Sequence, residues 1–202
     1  MAFIETVNAE DSTDAVREMY ERQQSSYGYV PNYAKVFSHR PEVLARWGRL
    51  LAEIRRPMSD RLFELATLAA ALELKNSACS LAHGQQLARF ISQEGICSLV
   101  KGEYPGELSE AEIAVVDFAR KLAKDATEID QQDIDTLKSR GYTDAEIFDI
   151  ATTVAGRAFL TKILDALGVE TDSTMNKLDP EFRQALTIGR PIANEAVETL
   201  GN

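Results

Sequence analysis

Helical periodicity along almost the whole chain predicts an all-α protein. Apolar residues recur at helical spacing in every long segment, and no segment sustains the apolar–polar alternation of a half-buried strand. The 202 residues, 45% of them hydrophobic, are enough to bury a real core.

The first helix is predicted over Asp11 to Gln24, with Ser12 or Asp14 near its start and a break over Ser25 to Asn32. Tyr33 to Phe37 reads as a single turn. Pro41 suits the first position of a helix reaching about Ile54, before Pro57. Ser59 or Asp60 caps the next helix, Arg61 to about Lys75, whose middle from Leu65 to Leu72 is apolar almost all round and therefore central. Asn76 or Ser77 opens a helix to about Gln93, stopped by Gly95, and a short helix follows from Gly95 to Val100. The two longer helices should form a central antiparallel hairpin. After the loop Lys101 to Gly106, Ser109 caps a helix to Ala123, and Asp130 to Ser139 is helical up to Gly141. Thr143 and Glu146 form a capping box for the helix Ala145 to Leu167, closed by Gly168. Residues 1–170 thus read as one helical domain. The more polar stretch 171–202, with one short helix after Asp179-Pro180, reads as a peripheral C-terminal arm at an oligomer contact.

The charge balance narrows the range of partners. Lys and Arg number 22 against 32 for Asp and Glu, a formal charge of −10 that repels phosphate backbones, so no nucleic-acid partner is expected. The densest apolar segment, Leu62 to Leu74, is interrupted by Glu64, Thr67 and Glu73, far short of the roughly 20 apolar residues of a membrane span. No membrane partner is expected, and without a visible secretory signal the expected location is cytoplasmic. Two cysteines, Cys79 and Cys97, and two histidines, His39 and His83, are too few for a disulfide scaffold or a Cys/His zinc site. No metal and no cofactor are expected.

The chemistry concentrates between Glu64 and His83. Cys79 and His83 lie four residues apart and share one helical face. If Asn76 or Ser77 is the cap, Cys79 occupies the first turn, where free N–H groups and the helix dipole favour a thiolate. An imidazole nearby would lower its pKa further from the free value of about 8.5. Glu64, set among Leu62, Phe63, Leu65, Leu68 and Ala71, is a carboxylate expected to be buried, hence paired or functional. Plainer roles are open too: a packed small residue for either cysteine, a salt bridge for Glu64, an N-cap for Asn76. His39, just before a helix, reads as a surface or capping residue. Tyr27, Tyr29 and Tyr33 line a pocket or pack over a helix end. Arg55-Arg56 fits compensation of a helix dipole.

Glu64, then Leu74 to His83 with Asn76, Cys79 and His83 at fixed spacing, resembles the carboxymuconolactone decarboxylase superfamily, in particular its alkylhydroperoxidase D (AhpD)-like, peroxidase-related members. The likeness extends to Val30-Pro31-Asn32, the Leu108-Ser109 helix start and Gly141 to Ile147, while Thr161-Lys162 stands where many members have Asn-Arg. The family pattern is Glu, Cys-x-x-Cys, then His, and Asn76 occupies the first Cys position. The resemblance implies an AhpD-like orthogonal helical bundle, a homo-oligomer, and a peroxidase-like thiol oxidoreductase. In that scheme Cys79 attacks hydrogen peroxide or an organic hydroperoxide, and His83 and Glu64 move protons. Without a cysteine at 76, an external thiol, another subunit or Cys97 must resolve the sulfenic acid. A lyase or decarboxylase acting on a small organic acid, and a non-catalytic oligomeric member, are the alternatives.

Overall fold

A computed structural model of the protein describes residues 2–194. The last eight residues of the expected arm lie outside them. Ten α-helices and three short 3-10 turns make up the described residues, with one isolated bridge between Thr171 and Ile192 and no strand. The all-α expectation holds.

The first three helices form one wall. α1 (Asp14–Tyr27) continues three residues beyond its expected end because Gly28, at φ 81°, closes it with an N–H bond to the Gln24 carbonyl. Thr13 holds its cap position without a side-chain bond, in place of Ser12 or Asp14. α2 (Asn32–Val36) is the single turn, and α3 (Pro41–Arg55) starts on proline as the sequence indicates.

α4 (Asp60–Glu73), capped by Ser59, is the central helix. Nine consecutive residues from Phe63 to Ala71 are buried, which a helix achieves only when packed on several sides. Its neighbours are α5 (Ser77–Leu87), α7 (Glu110–Lys124) and α9 (Asp144–Ala166). α4 and α5 form the expected hairpin through a three-residue turn, within which Lys75 adopts the left-handed conformation at φ 54°.

α5 ends at Leu87, earlier than its composition suggests. The chain turns through Ala88 to Ile91, and Ser92 then caps α6 (Gln93–Val100) by accepting from the Gly95 N–H. Gly95 thus lies inside α6 and stops nothing. The capping boxes of α7 (Ser109 with Glu112) and α9 (Thr143 with Glu146) form as expected. α8 (Gln131–Ser139) adds a third, from Asp130 and Asp133.

The C-terminal stretch departs furthest from its expected peripheral position. α10 (Pro180–Leu186) packs on α5 and α6 and drives the fully buried Phe182 and Leu186 into the main core. Beyond it, the Gly189 backbone presses on the α4–α5 turn so closely that a Cβ there would come within 1.9 Å of the Lys75 carbonyl oxygen. The Gly189 N–H donates to Ser77 Oγ at 2.8 Å, and the Ser80 hydroxyl donates to the Leu186 carbonyl. Polar composition between these few anchors conceals from sequence inspection that the segment closes the core.

Leu186→Ala should therefore cost about 2–5 kcal/mol of unfolding free energy, as buried leucine truncations do. Urea denaturation checks this; a change below about 0.5 kcal/mol, typical of surface sites, would mean that α10 is peripheral after all.

Candidate active site

Glu64 projects from the middle of α4 toward α5 and is 3% exposed. Its Oε2 lies 2.6 Å from Nδ1 of His83, across the hairpin. With the carboxylate as acceptor, Nδ1 carries the shared proton and Nε2 keeps its lone pair. Burial holds the His83 pKa below its usual value, aided by the charge of Arg157 and opposed by Glu64, so the imidazole is neutral at pH 7. The ring of Phe63 stands edge-on to the imidazole at 6.5 Å.

Cys79 sits in the first turn of α5, one turn before His83. Asn76 is the N-cap: its Oδ1 accepts from the Cys79 N–H at 2.9 Å, while its Nδ2 donates to Asp165 Oδ2 of α9 at 3.0 Å. The same asparagine therefore fixes the Cys79 backbone and ties it to α9. Asp165 in turn accepts at its carbonyl from Arg190 of the tail, at 2.6 Å.

The expected acidic thiol is not what this environment produces. Burial pushes the Cys79 pKa up to about 11; Arg157 pulls it down and Asp165 pushes it further up. Desolvation thus outweighs the charge of Arg157. His83 is engaged with Glu64, and no hydrogen bond joins the Cys79 sulfur to the imidazole among the described residues. The structure brings Glu64 and His83 into direct contact and leaves Cys79 one turn from His83 on α5.

Arg157 is the site residue that sequence reading missed. It projects from α9 and is 9% exposed. Its guanidinium lies over the rings of Trp47, at 5.6 Å, and Phe63, at 5.4 Å. The signal was available: Arg157 is a lone charge in the apolar run from Val154 to Leu160, as Glu64 is in its own.

The remaining candidates separate from this centre. Cys97 packs at the edge of the cluster around α6 and α10, whereas Cys79 belongs to the cluster of α1, α2, α3 and α9; both thiols are free. His39 is at the surface, its Nε2 2.8 Å from the Glu5 carbonyl oxygen. Arg55 lies in the last turn of α3, where compensation of the helix dipole was expected, and it also pairs with Asp60 at 2.7 Å and lies over Phe63, joining the end of α3 to the start of α4. Tyr27 and Tyr33 do line a cavity, while the Tyr29 hydroxyl is bonded to Thr174. Among the described residues no group of three or more His, Cys, Asp and Glu could hold a metal ion, and no helix is long and apolar enough to cross a membrane.

No known family's sequence pattern matches the chain, and no curated protein matches it in sequence. Solved structures do match it in fold. An uncharacterized peroxidase-related protein from Ralstonia eutropha, described as an alkylhydroperoxidase AhpD core, superposes with a TM-score of 0.74 at 19% identity, covering 94% of this chain and 98% of its own. A peroxidase-related protein from Silicibacter gives 0.68 at 20% identity, with 92% and 95% coverage. The debrominase Bmp8 gives 0.70 at 14% identity, with 90% and 96% coverage, and a cysteine-to-alanine variant of it has been solved with 2,3,4-tribromopyrrole. The chain has the AhpD-like helical fold, as the Glu64, Cys79 and His83 spacing implies.

The thiol should thus be slow to alkylate at neutral pH. Iodoacetamide reaction at Cys79, followed by peptide mass spectrometry, should rise with pH toward a midpoint near 11. A rate already level below pH 8 would contradict the burial argument. Because burial raises the folded pKa above that of the free thiol, the Cys79 contribution to stability is present in full below the free-thiol pKa and is lost as pH rises toward about 11.

Proposed function

We propose that this protein is a thiol-dependent, peroxidase-like oxidoreductase that reduces hydrogen peroxide or an organic hydroperoxide at Cys79. The observation that carries this reading is the placement of Cys79 in the first turn of α5, with the Glu64–His83 pair one turn along and the Arg157 charge acting on the sulfur. A thiol at about 11 is protonated at pH 7, so attack requires a base at the moment of reaction. His83 Nε2 is a neutral base on the same helical face, and Glu64 on Nδ1 stabilises the imidazolium that forms.

The sulfur attacks one peroxide oxygen and the O–O bond breaks. The leaving alkoxide or hydroxide takes the proton back from His83, and Cys79 becomes a sulfenic acid. Asn76 is no thiol and Cys97 belongs to another packing cluster, so an external thiol resolves the intermediate. One thiol forms a mixed disulfide with Cys79 and releases water; a second frees Cys79 as the disulfide of the reductant. A homo-oligomeric state belongs to the same reading and rests on the resemblance to the family. Bmp8, of the same fold, is a debrominase crystallised with a brominated pyrrole, which supports a small-molecule substrate.

A lyase or decarboxylase acting on a small organic acid is the second reading. The Glu64–His83 bond favours it, being complete without the thiol. Under that reading His83 and Glu64 do acid–base work and Cys79 is a bystander.

Intact-mass analysis after one equivalent of peroxide, with dimedone trapping, separates the two. A sulfenic acid adduct on Cys79 is expected. Asn76→Cys, which restores Cys-x-x-Cys, should raise turnover with a dithiol at least about tenfold, roughly 1.4 kcal/mol off the barrier. It should cost about 1 kcal/mol of stability through the lost cap. An unmodified Cys79, together with an Asn76→Cys disulfide that gives no turnover, would overturn the thiol reading in favour of acid–base or non-catalytic roles.

A further inference from the structure

The C-terminal arm, expected at an oligomer contact, buries Phe182 and Leu186 in its own core. The apolar surface that the fold leaves uncovered lies elsewhere. Of the eight large hydrophobic residues exposed among the described ones, Val43 and Leu50 stand on α3, and Phe148 and Phe159 on α9. These two helices pack side by side, and the groove between them, about 540 Å³, is walled by Trp47, Leu50, Ile54 and Phe159 over small residues of α9. Arg46 is the one charged residue in its lining. The Trp47 Nε1–H donates to the Gly156 carbonyl at 2.9 Å, so the indole is fixed in the wall before anything docks on it. Monomers rarely keep so continuous an apolar patch in water.

Val43, Trp47, Leu50 and Ile54 form one stripe along α3, with steps of four, three and four residues. These are the a and d spacings of a heptad pattern, turned toward solvent. The steps read the same in both directions, so an antiparallel copy of α3 laid on the stripe sets Trp47 against Leu50 of the second copy and Val43 against its Ile54. Symmetry then makes each contact twice. The flanks of the stripe agree with this pairing. Leu44 and Leu51, on one edge, are buried in the chain's own core, whereas the opposite edge presents Arg46 and Glu53, both exposed. In an antiparallel pair that edge faces the same edge of the partner in reverse order, so Arg46 comes to Glu53 of the second copy and Glu53 to its Arg46. In the single chain Glu53 pairs at the surface with Arg56, three residues on, a contact weak enough to exchange.

We propose that the α3–α9 face is the contact between two copies of this chain, related by a two-fold axis that crosses α3 between Gly48 and Arg49 and sets the two α3 helices antiparallel. The inference rests on the homo-oligomeric part of the proposed function and requires none of its thiol chemistry. It places the contact on α3 instead of the C-terminal arm. Trp47 also lies under the Arg157 guanidinium at 5.6 Å, so the seam backs onto the site.

Sedimentation velocity on the full chain at micromolar concentration should show a dimer or a multiple of it. Leu50→Glu puts a charge at the centre of the seam, on a residue 55% exposed in the single chain. Circular dichroism should therefore show an intact fold, while the dimer dissociation constant rises at least about a hundredfold. Arg46→Glu and Glu53→Arg should each weaken the dimer about tenfold, and the two together should restore it, because the pair then meets with its signs exchanged. A double variant as weak as the single ones would overturn the antiparallel pairing. An assembly that Leu50→Glu leaves intact would overturn the α3 face and leave the oligomeric reading standing. A monomeric wild type would overturn both. A monomer that binds the apolar dye ANS, with the binding lost in Leu50→Glu, would likewise overturn the proposal and give the groove to another apolar partner.

Discussion

The 2.6 Å bond between Glu64 and His83 is the constraint around which this structure is arranged. A carboxylate and an imidazole meet across the α4–α5 hairpin next to a largely apolar core, where either alone would be an uncompensated polar group. Together they satisfy one another, and the geometry that lets them meet is that of the α4–α5 hairpin. The surrounding residues serve this arrangement. Phe63 shields the imidazole, burial keeps it neutral, and the nine buried residues of α4 leave Glu64 almost no access to water.

The turn between these helices is held from three directions. Lys75 takes a left-handed conformation, Asn76 caps α5 while bonding to Asp165 of α9, and the tail lays Gly189 and Arg190 across the junction. Asn76 thereby fulfils a structural need. Its amide satisfies a helix N–H and the half-buried Asp165 carboxylate at once, which a cysteine could not do.

Much of the fold was legible because capping and periodicity are local. Ser59, Ser109 and Thr143 marked three helix starts, and the apolar run from Leu65 to Leu72 marked the central helix. The early end of α5 and the burial of α10 were not legible. Both depend on Phe182 and Leu186 meeting the α5–α6 region from about 90 residues away, a contact that no local pattern encodes. At the site, the Glu64–His83 meeting followed from spacing, whereas the character of the Cys79 thiol did not. Its pKa is raised by burial against α1, α2, α3 and α9, which outweighs the charge of Arg157. Arg157 shows the same signature as Glu64, a single charge in an apolar helix, but no sequence motif accompanies it, and its place beside the site depends on α9 packing against α4.

A double-mutant cycle on unfolding free energy, with Glu64→Gln and His83→Ala singly and together, tests the central interaction most directly. A buried, charge-assisted bond of this kind should give a coupling of at least about 1.5 kcal/mol. Additive effects, with coupling below about 0.5 kcal/mol, would mean that the two side chains do not act as a unit and would contradict the account.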